Sequence, residues 1–307
     1  MKRFASCIIR LIRALEFTLS YVYLCLYIIY IILFVIKISI ITTNYNTNKY
    51  LEQTIRNILC QKGDFDLEYI ITDGGSKDGS LKIIKKYYQE VKKGKWGRRV
   101  VLRFLSEKDN GQSDGINKGL KMVTGDIVAF LNADDLYTEG ALDRVVRYFK
   151  NNPDCMWLTG YCKIIDENNN EIRKYITEYK NRGLRKLSMK SLLIEDTISQ
   201  PATFWRYSLM EQVGYLDESL HYAMDHDYWV RMEQISHIHL IKEYLAMFRF
   251  TSDTKTGSSI YKTLAESKFI AQKYSNSRLI LFRQWLSNQK RIFIYKGSDL
   301  LKKLLRK

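Results

Sequence analysis

Two adjacent carboxylates, Asp134 and Asp135, follow a short apolar run that predicts a buried strand. Neighbouring carboxylates repel each other, so both can be ionised at low cost only when a cation compensates their charge. Mg²⁺ is often held by one or two carboxylates together with phosphate oxygens of a substrate. The pair therefore predicts a divalent cation site that serves a phosphate-bearing ligand. A simpler interpretation, in which Asp135 only caps the helix that follows, stays open.

Polar residues follow three other apolar runs in the same way, in the segments 43–46, 73–79 and 107–114. In the second of these, Asp73 is followed by two glycines, which allow a ligand to approach the backbone closely. An ionised carboxylate only accepts hydrogen bonds, which suits the N3–H donor of a uracil base. Asp73 is therefore a candidate for binding a base, although an ordinary Asp-Gly turn would show the same pattern.

Asp225 opens a stretch, 225–235, whose pattern predicts a helix. The helix dipole favours a carboxylate at this end, and an exposed carboxylate there can accept a proton as a general base. A simple capping role is the alternative interpretation. The chain has neither GxxxxGK[ST] nor GxGxxG, so the phosphate and dinucleotide loops that these motifs mark are not predicted.

The elements that position these residues alternate between strands and helices. Strands are predicted at 38–42, 67–72, 100–106 and 127–132, and helices at 50–59, 81–90 and 116–122. Further along, the pattern predicts a helix at 138–150, a strand pair at 156–166 and 171–177, and a strand at 239–250. Such alternation is typical of an α/β fold with a Rossmann-like, mostly parallel central sheet and helices on both faces. Ligands bind at the carboxyl ends of such strands, where the polar segments lie.

Composition limits the class of protein. The chain has 307 residues and a formal net charge of +16, which is enough for one α/β domain with terminal additions and implies an anionic partner. That partner could be a nucleic acid, an acidic membrane face or a phosphate-bearing substrate. The five cysteines are odd in number and include no CxxC pair, which excludes a disulfide scaffold and a typical zinc site.

Both ends of the chain suggest membrane contact. Residues 17–36 carry no charge, and about 20 apolar residues are enough to span a bilayer. Two interpretations of residues 1–36 stay open: a hydrophobic helix that contacts the membrane, or an upstream stretch from a wrongly assigned start. Residues 273–307 carry ten Lys and Arg side chains, one acid and interleaved apolar residues. They predict basic amphipathic helices on an anionic membrane surface, with a solvated terminal helix as the alternative.

The order of the motifs resembles that of family 2 glycosyltransferases of the bacterial cell-surface polysaccharide type. The matching segments are 42–46, 73–79, 117–119, 125–126, 131–135 and 225–231. The resemblance extends over residues 37–250 and implies a GT-A fold for that part, between the 1–36 segment and a basic region at 251–307. It implies a sugar transfer from a nucleotide-diphosphate donor, with Mg²⁺ or Mn²⁺ as cofactor.

The resemblance also implies roles for individual residues. Asp225 matches the catalytic base, and Asp134 and Asp135 match the metal-binding positions. Asn132 stands at the first position of the family's Asp-x-Asp motif, and Gln200 resembles part of an acceptor-side loop. The positions implied to bind the donor are Thr43, Tyr45, Asp73, Asp114, Asn117, Lys118 and Asn132. One departure is the absence of a histidine near Thr251, which many relatives have.

The implied reaction is an inverting transfer from a nucleotide-diphosphate donor, expected to be a UDP-sugar, to a hydroxyl of a glycan or lipid-linked acceptor. It is expected at the cytoplasmic face of the cell membrane. Two other classes stay open. One is a non-catalytic basic module that binds a membrane surface or nucleic acid; the acidic strand ends and the lack of a nucleic-acid motif argue against a nucleic acid partner. The other is a sugar-nucleotidyltransferase, which would need a glycine-rich loop after the first strand.

Overall fold

The computed structural model describes Tyr23 and residues 35–251 and 259–305, with side chains described as far as Phe293. The contacts divide the chain into two units, residues 1–36 and 37–307. Almost all of the predicted hydrophobic helix at 17–36 lies outside the described residues. Within the described part, none of the helices is both long and apolar enough to cross a bilayer. All elements below belong to the second unit.

The first half of this unit alternates strands and helices, as predicted from the sequence. Its elements are β1 (Lys37–Asn44), α1 (Asn48–Leu59), β2 (Asp66–Asp73), α2 (Ser80–Lys92), β3 (Val100–Ser106), α3 (Gln112–Leu120) and β4 (Ile127–Phe130). β1 pairs in parallel with both β2 and β4, and β2 pairs in parallel with β3. The carboxyl ends of these four strands therefore meet at one edge of the sheet.

The second half is more irregular. Its elements are β5 (Leu136–Tyr137), α4 (Ala141–Asn151), β6 (Trp157–Ile165), β7 (Glu171–Ile172), α5 (Lys174–Leu184), α6 (Met189–Ile194), a 3-10 turn (Gln200–Ala202), β8 (Thr203–Arg206), α7 (Tyr207–Val213), α8 (Met224–Ile235), β9 (His239–Arg249), α9 (Ile260–Tyr274) and α10 (Arg278–Leu305). The predicted strand at 171–177 is wrong beyond its first two residues, because the chain turns into α5 at Lys174.

The sheet is mixed, and the prediction of a mostly parallel sheet holds only for its first half. The strand order is β3-β2-β1-β4-β8-β6-β9-β5, and β7 pairs with β6. β8 lies antiparallel between β4 and β6, whereas β6 and β9 are parallel and β5 is antiparallel to β9. β8 was missed in the sequence because it has only four residues and directly follows the Pro201 turn.

An aromatic cluster holds α8 against the centre of the sheet. Trp157, Trp205 and Trp229 are all fully buried. The ring centroids of Trp205 and Trp229 lie 5.7 Å apart, and Trp229 also stacks on Phe130 of β4 at 6.4 Å. Because Trp229 belongs to α8, this packing fixes the helix whose first turn contains Asp225.

Candidate active site

The polar ends of the first three strands lie side by side. Asn44 is paired with Asp73 across β1 and β2, and Asp73 is paired with Ser106 across β2 and β3. The backbone N–H of Leu131, just after β4, donates to the carbonyl of Ile41 in β1 at 2.8 Å. The sequence-based expectation that these segments share one edge of the sheet is therefore confirmed by the register.

The Asp73 carboxylate is buried and receives hydrogen bonds on both oxygens. Oδ1 accepts from Asn44 Nδ2 at 2.7 Å and from the Ser76 hydroxyl at 2.5 Å. Oδ2 accepts from Ser106 Oγ at 2.7 Å and from the Ser76 backbone N–H at 3.2 Å. Burial alone would raise the pKa of Asp73, but these hydrogen bonds outweigh burial and lower it. Asp73 is therefore held ionised, and its predicted contact with a base stays a prediction.

A second carboxylate, Asp109, lies close to this loop. A Cβ atom added to Gly74 would come within 2.5 Å of Asp109 Oδ2, and one added to Gly115 within 3.2 Å. The two glycines therefore make room for Asp109, which also accepts the Gly111 N–H at 3.1 Å. The sequence placed Asp109 in a polar segment but assigned it no role; its position against Gly74 is visible only in the fold.

Asn132 joins three loops of the site. Its side-chain oxygen accepts from Gln112 Nε2 at 2.8 Å, and its amide donates to Asp135 Oδ2 at 3.1 Å and to Gln200 Oε1 at 3.3 Å. The Gln200 amide also donates to the carbonyl of Phe130 at the end of β4. Asn132 therefore organises the site through protein contacts, and its predicted contact with the donor stays a prediction.

Asp134 and Asp135 differ in their surroundings. Asp135 is fully buried, and its Oδ1 accepts the backbone N–H of Arg249 at 2.8 Å. Asp134 is only partly buried, and no described side chain donates a hydrogen bond to its carboxylate. Burial raises the pKa of Asp134; burial and the charge of Asp134 raise that of Asp135 well above its ordinary value. The charge of Arg249 opposes both shifts but does not outweigh burial, so the ionised form of the pair would be favoured by a further cation.

Arg249, which the sequence did not single out as a site residue, supports this loop from behind. It is fully buried, and its Nε donates to the Asp134 carbonyl at 2.9 Å. Its Nη1 donates to the Asp166 carbonyl at 2.7 Å, and its Nη2 donates to Gln53 Oε1 at 3.0 Å and Asn169 Oδ1 at 2.7 Å. All of these contacts fix the orientation of the loop that carries Asp134.

The chemistry of the donor set allows a divalent cation at Asp134. A partly buried carboxylate without a side-chain donor is an available oxygen ligand, and Mg²⁺ needs only one or two such ligands when phosphate oxygens supply others. Among the side chains described in 35–251 and 259–293, no group of three or more His, Cys, Asp or Glu is placed to hold a metal. The residues present thus fit an ion shared with a phosphate ligand.

Asp225 lies in the first turn of α8 and is paired with an acid that the sequence did not reveal. Its Oδ1 accepts the His226 N–H at 2.9 Å. Burial and then the negative charge of Asp196 raise the pKa of Asp225 to about 6. Burial likewise raises the pKa of Asp196 to about 6, against the opposing charges of Lys180 and Arg291. A carboxyl group with this pKa is suited to accept a proton near neutral pH.

The segment between Asp196 and Gln200 connects the two acidic regions. Asp196 Oδ1 accepts the Ile198 N–H at 2.8 Å, which fixes the start of this segment. Four residues later, Gln200 contacts Asn132 beside the Asp134–Asp135 pair. A short, hydrogen-bonded stretch of chain therefore links the carboxylate beside Asp225 to the loop that carries Asp134 and Asp135.

The other predicted donor-binding residues fall into two groups. Thr43 is partly exposed and Tyr45 is 65% exposed at the end of β1, so both are accessible. Asn117 is 2% exposed, and its amide donates to the Leu216 carbonyl at 3.0 Å and to Glu218 at 2.8 Å. Asn117 thus has a structural role, and its contact with a nucleotide stays a prediction.

Asp114 and Lys118 pair with each other on α3. The Lys118 ammonium lies 3.4 Å from Asp114 Oδ2 and 3.0 Å from Glu107. It also donates to the Lys108 carbonyl at 2.9 Å, and Asp114 accepts the Asn110 N–H at 2.9 Å. These contacts fix the loop between β3 and α3, next to Asp109. The predicted donor contacts of Asp114 and Lys118 also stay predictions.

Comparison with known proteins identifies the family and the fold. The profile of "Glycosyl transferase family 2" matches residues 39–213, more than half of the chain. An uncharacterised glycosyltransferase of Methanocaldococcus jannaschii is 26% identical over 228 residues, 73% of this chain and 74% of that protein. A GalNAc(5)-diNAcBac-PP-undecaprenol beta-1,3-glucosyltransferase of Campylobacter jejuni is 26% identical over 225 residues, 72% of this chain and 67% of that protein.

Some relatives are much longer than the matched region. The match covers 41% of an uncharacterised glycosyltransferase of Nostoc and 34% of one from Rickettsia conorii, so the chain spans well under half of those proteins. The activity, substrates and partners of the whole proteins are therefore not transferred directly to this chain.

Two solved structures resemble the chain in fold. The mannosyltransferase PcManGT of Pyrobaculum calidifontis, in complex with GDP-Man and Mn²⁺, has a TM-score of 0.63 at 16% identity, over 86% of this chain and 74% of that one. S. aureus TarS 1–349, in complex with UDP-GlcNAc, has a TM-score of 0.58 at 17% identity, over 81% and 69%. These similarities support the GT-A fold for the mixed α/β sheet, and the family profile shows that this chain belongs to glycosyl transferase family 2.

Proposed function

We propose that the chain transfers a sugar from a nucleotide-diphosphate donor to a hydroxyl group of a glycan or lipid-linked acceptor, with inversion at the anomeric carbon. The observation that best supports this proposal is the presence of two acidic regions with different properties. Asp134 offers an available carboxylate at the sheet edge, and the pKa of Asp225 is raised to about 6. Asp134 is suited to bind a cation that also contacts a diphosphate, and Asp225 is suited to act as a general base.

On the donor side, we assign Asp134 as the direct cation ligand and Asp135 as the residue that fixes the loop. This assignment narrows the sequence-based prediction, because both oxygens of Asp135 already accept hydrogen bonds, from Arg249 and Asn132. A bound Mg²⁺ or Mn²⁺ would act as a Lewis acid that stabilises charge on the departing diphosphate. For the donor we infer a UDP-sugar from the sequence-based prediction for Asp73; because each oxygen of this ionised carboxylate already accepts two hydrogen bonds, a base N–H would have to replace one of the present donors.

On the acceptor side, the Asp225 carboxylate takes the proton of the acceptor hydroxyl while that oxygen bonds to the anomeric carbon. The bond between the anomeric carbon and the diphosphate oxygen breaks at the same time, and the nucleoside diphosphate leaves with the electron pair. No covalent nucleophile is needed for this single displacement. The Campylobacter relative, whose name includes an undecaprenol-linked acceptor, supports a lipid-linked acceptor here. We place the reaction at the cytoplasmic face of the membrane, where nucleotide sugars occur.

The test is nucleotide release from a panel of UDP- and GDP-sugars by the full chain, with Mn²⁺, Mg²⁺ or EDTA. Release from one donor should be abolished by EDTA, and Asp134→Asn should lower the rate by about 10²–10³ because charge stabilisation is lost. Asp225→Asn should lower transfer to an acceptor by about 10²–10⁴. Asp143→Asn is the control, since Asp143 only pairs with Arg147 on the surface of α4.

The proposal fails if no donor is turned over and calorimetry detects no binding of UDP or GDP with any metal. A rate that is the same in EDTA and in Mn²⁺ would remove the metal from the mechanism but keep the transfer. Salt-dependent binding of duplex DNA in place of nucleotide binding would instead support the non-catalytic alternative.

A further inference from the structure

The last described helix, α10, presents apolar side chains to solvent. Leu279, Phe282, Leu286 and Phe293 are 59%, 56%, 45% and 79% exposed. Their spacings of three, four and seven residues place them on one face of the helix. Trp285 is 50% exposed and stacks on Phe282 with a centroid distance of 5.9 Å. The exposed face is therefore a continuous strip with two large aromatic rings at its centre.

The inward face of α10 is mixed, because Ile280 packs against the hydrophobic core and two polar side chains of the same helix are buried. Gln284 is 2% exposed and Asn288 is 9% exposed. Asn288 donates to the Leu264 carbonyl of α9 at 3.4 Å, and the Ser287 hydroxyl donates to Glu195, just after α6, at 2.8 Å. An amphipathic helix on a soluble domain normally buries its apolar face. α10 partly buries Ile280 but leaves the strip of Leu279, Phe282, Leu286 and Phe293 exposed, so this strip is not part of the core of this domain.

Cationic side chains border the apolar strip. Arg278, Arg283 and Lys290 are all exposed. At about 100° per residue, Arg283 and Lys290 lie along one side of the strip and Arg278 lies along the other. Apolar and aromatic side chains flanked by Lys and Arg are the combination that binds the headgroup region of an anionic bilayer. The net charge of the chain, +16, has the same sign as these borders.

We propose that the outward face of α10 is a docking surface for an anionic phospholipid bilayer. The proposed occupant is a bilayer in preference to a second copy of the chain, because two such faces would bring cationic borders of like charge together. Docking through α10 goes beyond the sugar transfer proposed above. It also gives the domain an orientation, since α10 packs on α6 and α9, the same helices that lie near Asp196 and Asp225.

The test uses quenching of tryptophan fluorescence, because only the accessible tryptophans can report contact with lipid. Trp157, Trp205 and Trp229 are fully buried, which leaves Trp285 and the partly buried Trp96. The full chain is added to vesicles of phosphatidylcholine brominated in the acyl chain, with or without phosphatidylglycerol. With phosphatidylglycerol we expect quenching that disappears in Trp285→Phe and persists in the control Trp96→Phe.

A second pair of variants tests whether lipid contact occurs through the outward face of α10 or through another part of the chain. Phe282→Glu combined with Leu286→Glu should abolish the quenching of Trp285, whereas Tyr175→Glu, at an equally exposed aromatic of α5, should not. Raising the salt from about 0.1 M to about 1 M shortens the Debye length from about 10 Å to about 3 Å and should weaken the quenching.

Three outcomes would overturn the proposal. One is a chain that floats with the vesicles while Trp285 stays unquenched. Another is equal quenching with and without phosphatidylglycerol. The third is protection of Trp285 that appears with rising protein concentration in the absence of lipid, which would show that a second copy covers the strip. Nucleotide release by the same variants, measured without acceptor, should stay unchanged, so that failure here leaves the transfer proposal standing.

Discussion

At the scale of single residues, the acidic pair Asp196–Asp225 gives the site its expected pH dependence. A carboxylate with an ordinary pKa is a weak base at neutral pH, whereas one with a pKa near 6 accepts a proton more readily. Burial is the first cause of the raised pKa of Asp225, and the charge of Asp196 is the second. In the proposed mechanism, Asp196 thus acts through Asp225, as a positioning residue that raises the pKa of the proposed base.

The pH profile tests this relation. Asp225 must be ionised to accept the proton, so kcat/KM should fall as the pH drops through about 6, the raised pKa. Asp196→Asn removes the neighbouring negative charge but keeps an oxygen that can accept the Ile198 N–H. It should lower the pKa of Asp225 and therefore move the acidic limb of the profile to lower pH, with a lower plateau because the base is weaker.

Glu178→Gln provides the matched control, because Glu178 is an exposed acid that pairs only with Arg182 on the surface of α5. Its profile should coincide with that of the wild type. If Asp196→Asn lowers the rate equally at every pH and leaves the limb in place, Asp196 has only a structural role and does not tune Asp225.

The sequence predicted the site residues that follow strand ends. It missed the residues whose role depends on tertiary contacts. The polar residues after β1 to β4 could be predicted because a parallel sheet brings its carboxyl ends together. Asp196 and Arg249 belong to no motif and lie in irregular or late segments. Their roles depend on which groups pack beside them, so no local pattern in the sequence could reveal them.

At the scale of elements, hydrogen bonds to Asp227 connect α9 to α8. Asp227 is fully buried and accepts hydrogen bonds from Arg231 Nε at 2.8 Å, Lys273 Nζ at 3.0 Å and the Tyr274 hydroxyl at 2.9 Å. Lys273 and Tyr274 end α9, on which α10 packs. The position of α8, and with it of Asp225, is therefore coupled to the position of α9.

Asp227→Asn should lower the free energy of unfolding by about 1.5–3 kcal/mol, because a buried acceptor of charge-assisted hydrogen bonds is lost while its two cationic partners stay partly solvated. Urea unfolding measures the loss, and hydrogen exchange should increase first at the end of α9. Asp217→Asn is the control. Asp217 also pairs with Lys273, at 3.6 Å, but it is about a third exposed, so its loss should be within about 1 kcal/mol. Equal losses in both variants would contradict a special role of Asp227.

The elements themselves were predicted best where they are long. α1, α2, α8 and β9 have the periodicity expected from their burial, and their predicted and observed bounds differ by only a few residues. β5 and β7 have two residues each and β8 has four, which is too short for a periodic pattern. Because β8 sits between β4 and β6, missing it hid the mixed character of the sheet.

At the scale of the whole molecule, Arg249 joins four parts of the fold: β9, the Asp134 loop, the β6–β7 turn and α1. Arg249→Lys keeps the charge but cannot donate in all of these directions at once. We expect a loss of about 2–4 kcal/mol in the free energy of unfolding, measured with urea. Arg147→Lys, at an exposed pair with Asp143, should change the stability by less than about 0.5 kcal/mol. A small loss for Arg249→Lys would show that water replaces the missing contacts.

Ligand binding should stabilise the whole domain. The size of the Tm shift should distinguish the contribution of the cation from that of the nucleotide. A ligand that binds only the folded state at 100 times its Kd adds about 2.7 kcal/mol, which for a domain of this size raises Tm by about 5–10 °C. UDP with Mn²⁺ should give this shift, and UDP with EDTA a smaller one, since the Asp134 carboxylate then faces the diphosphate without a compensating cation. Asp134→Asn should lose the Mn²⁺-dependent increment, and its shift in EDTA should be at least as large as that of the wild type, because asparagine does not repel the diphosphate and its loop is still held by Arg249. Equal shifts in Mn²⁺ and EDTA for the wild-type chain would contradict a shared cation at Asp134, whatever the rate of sugar transfer.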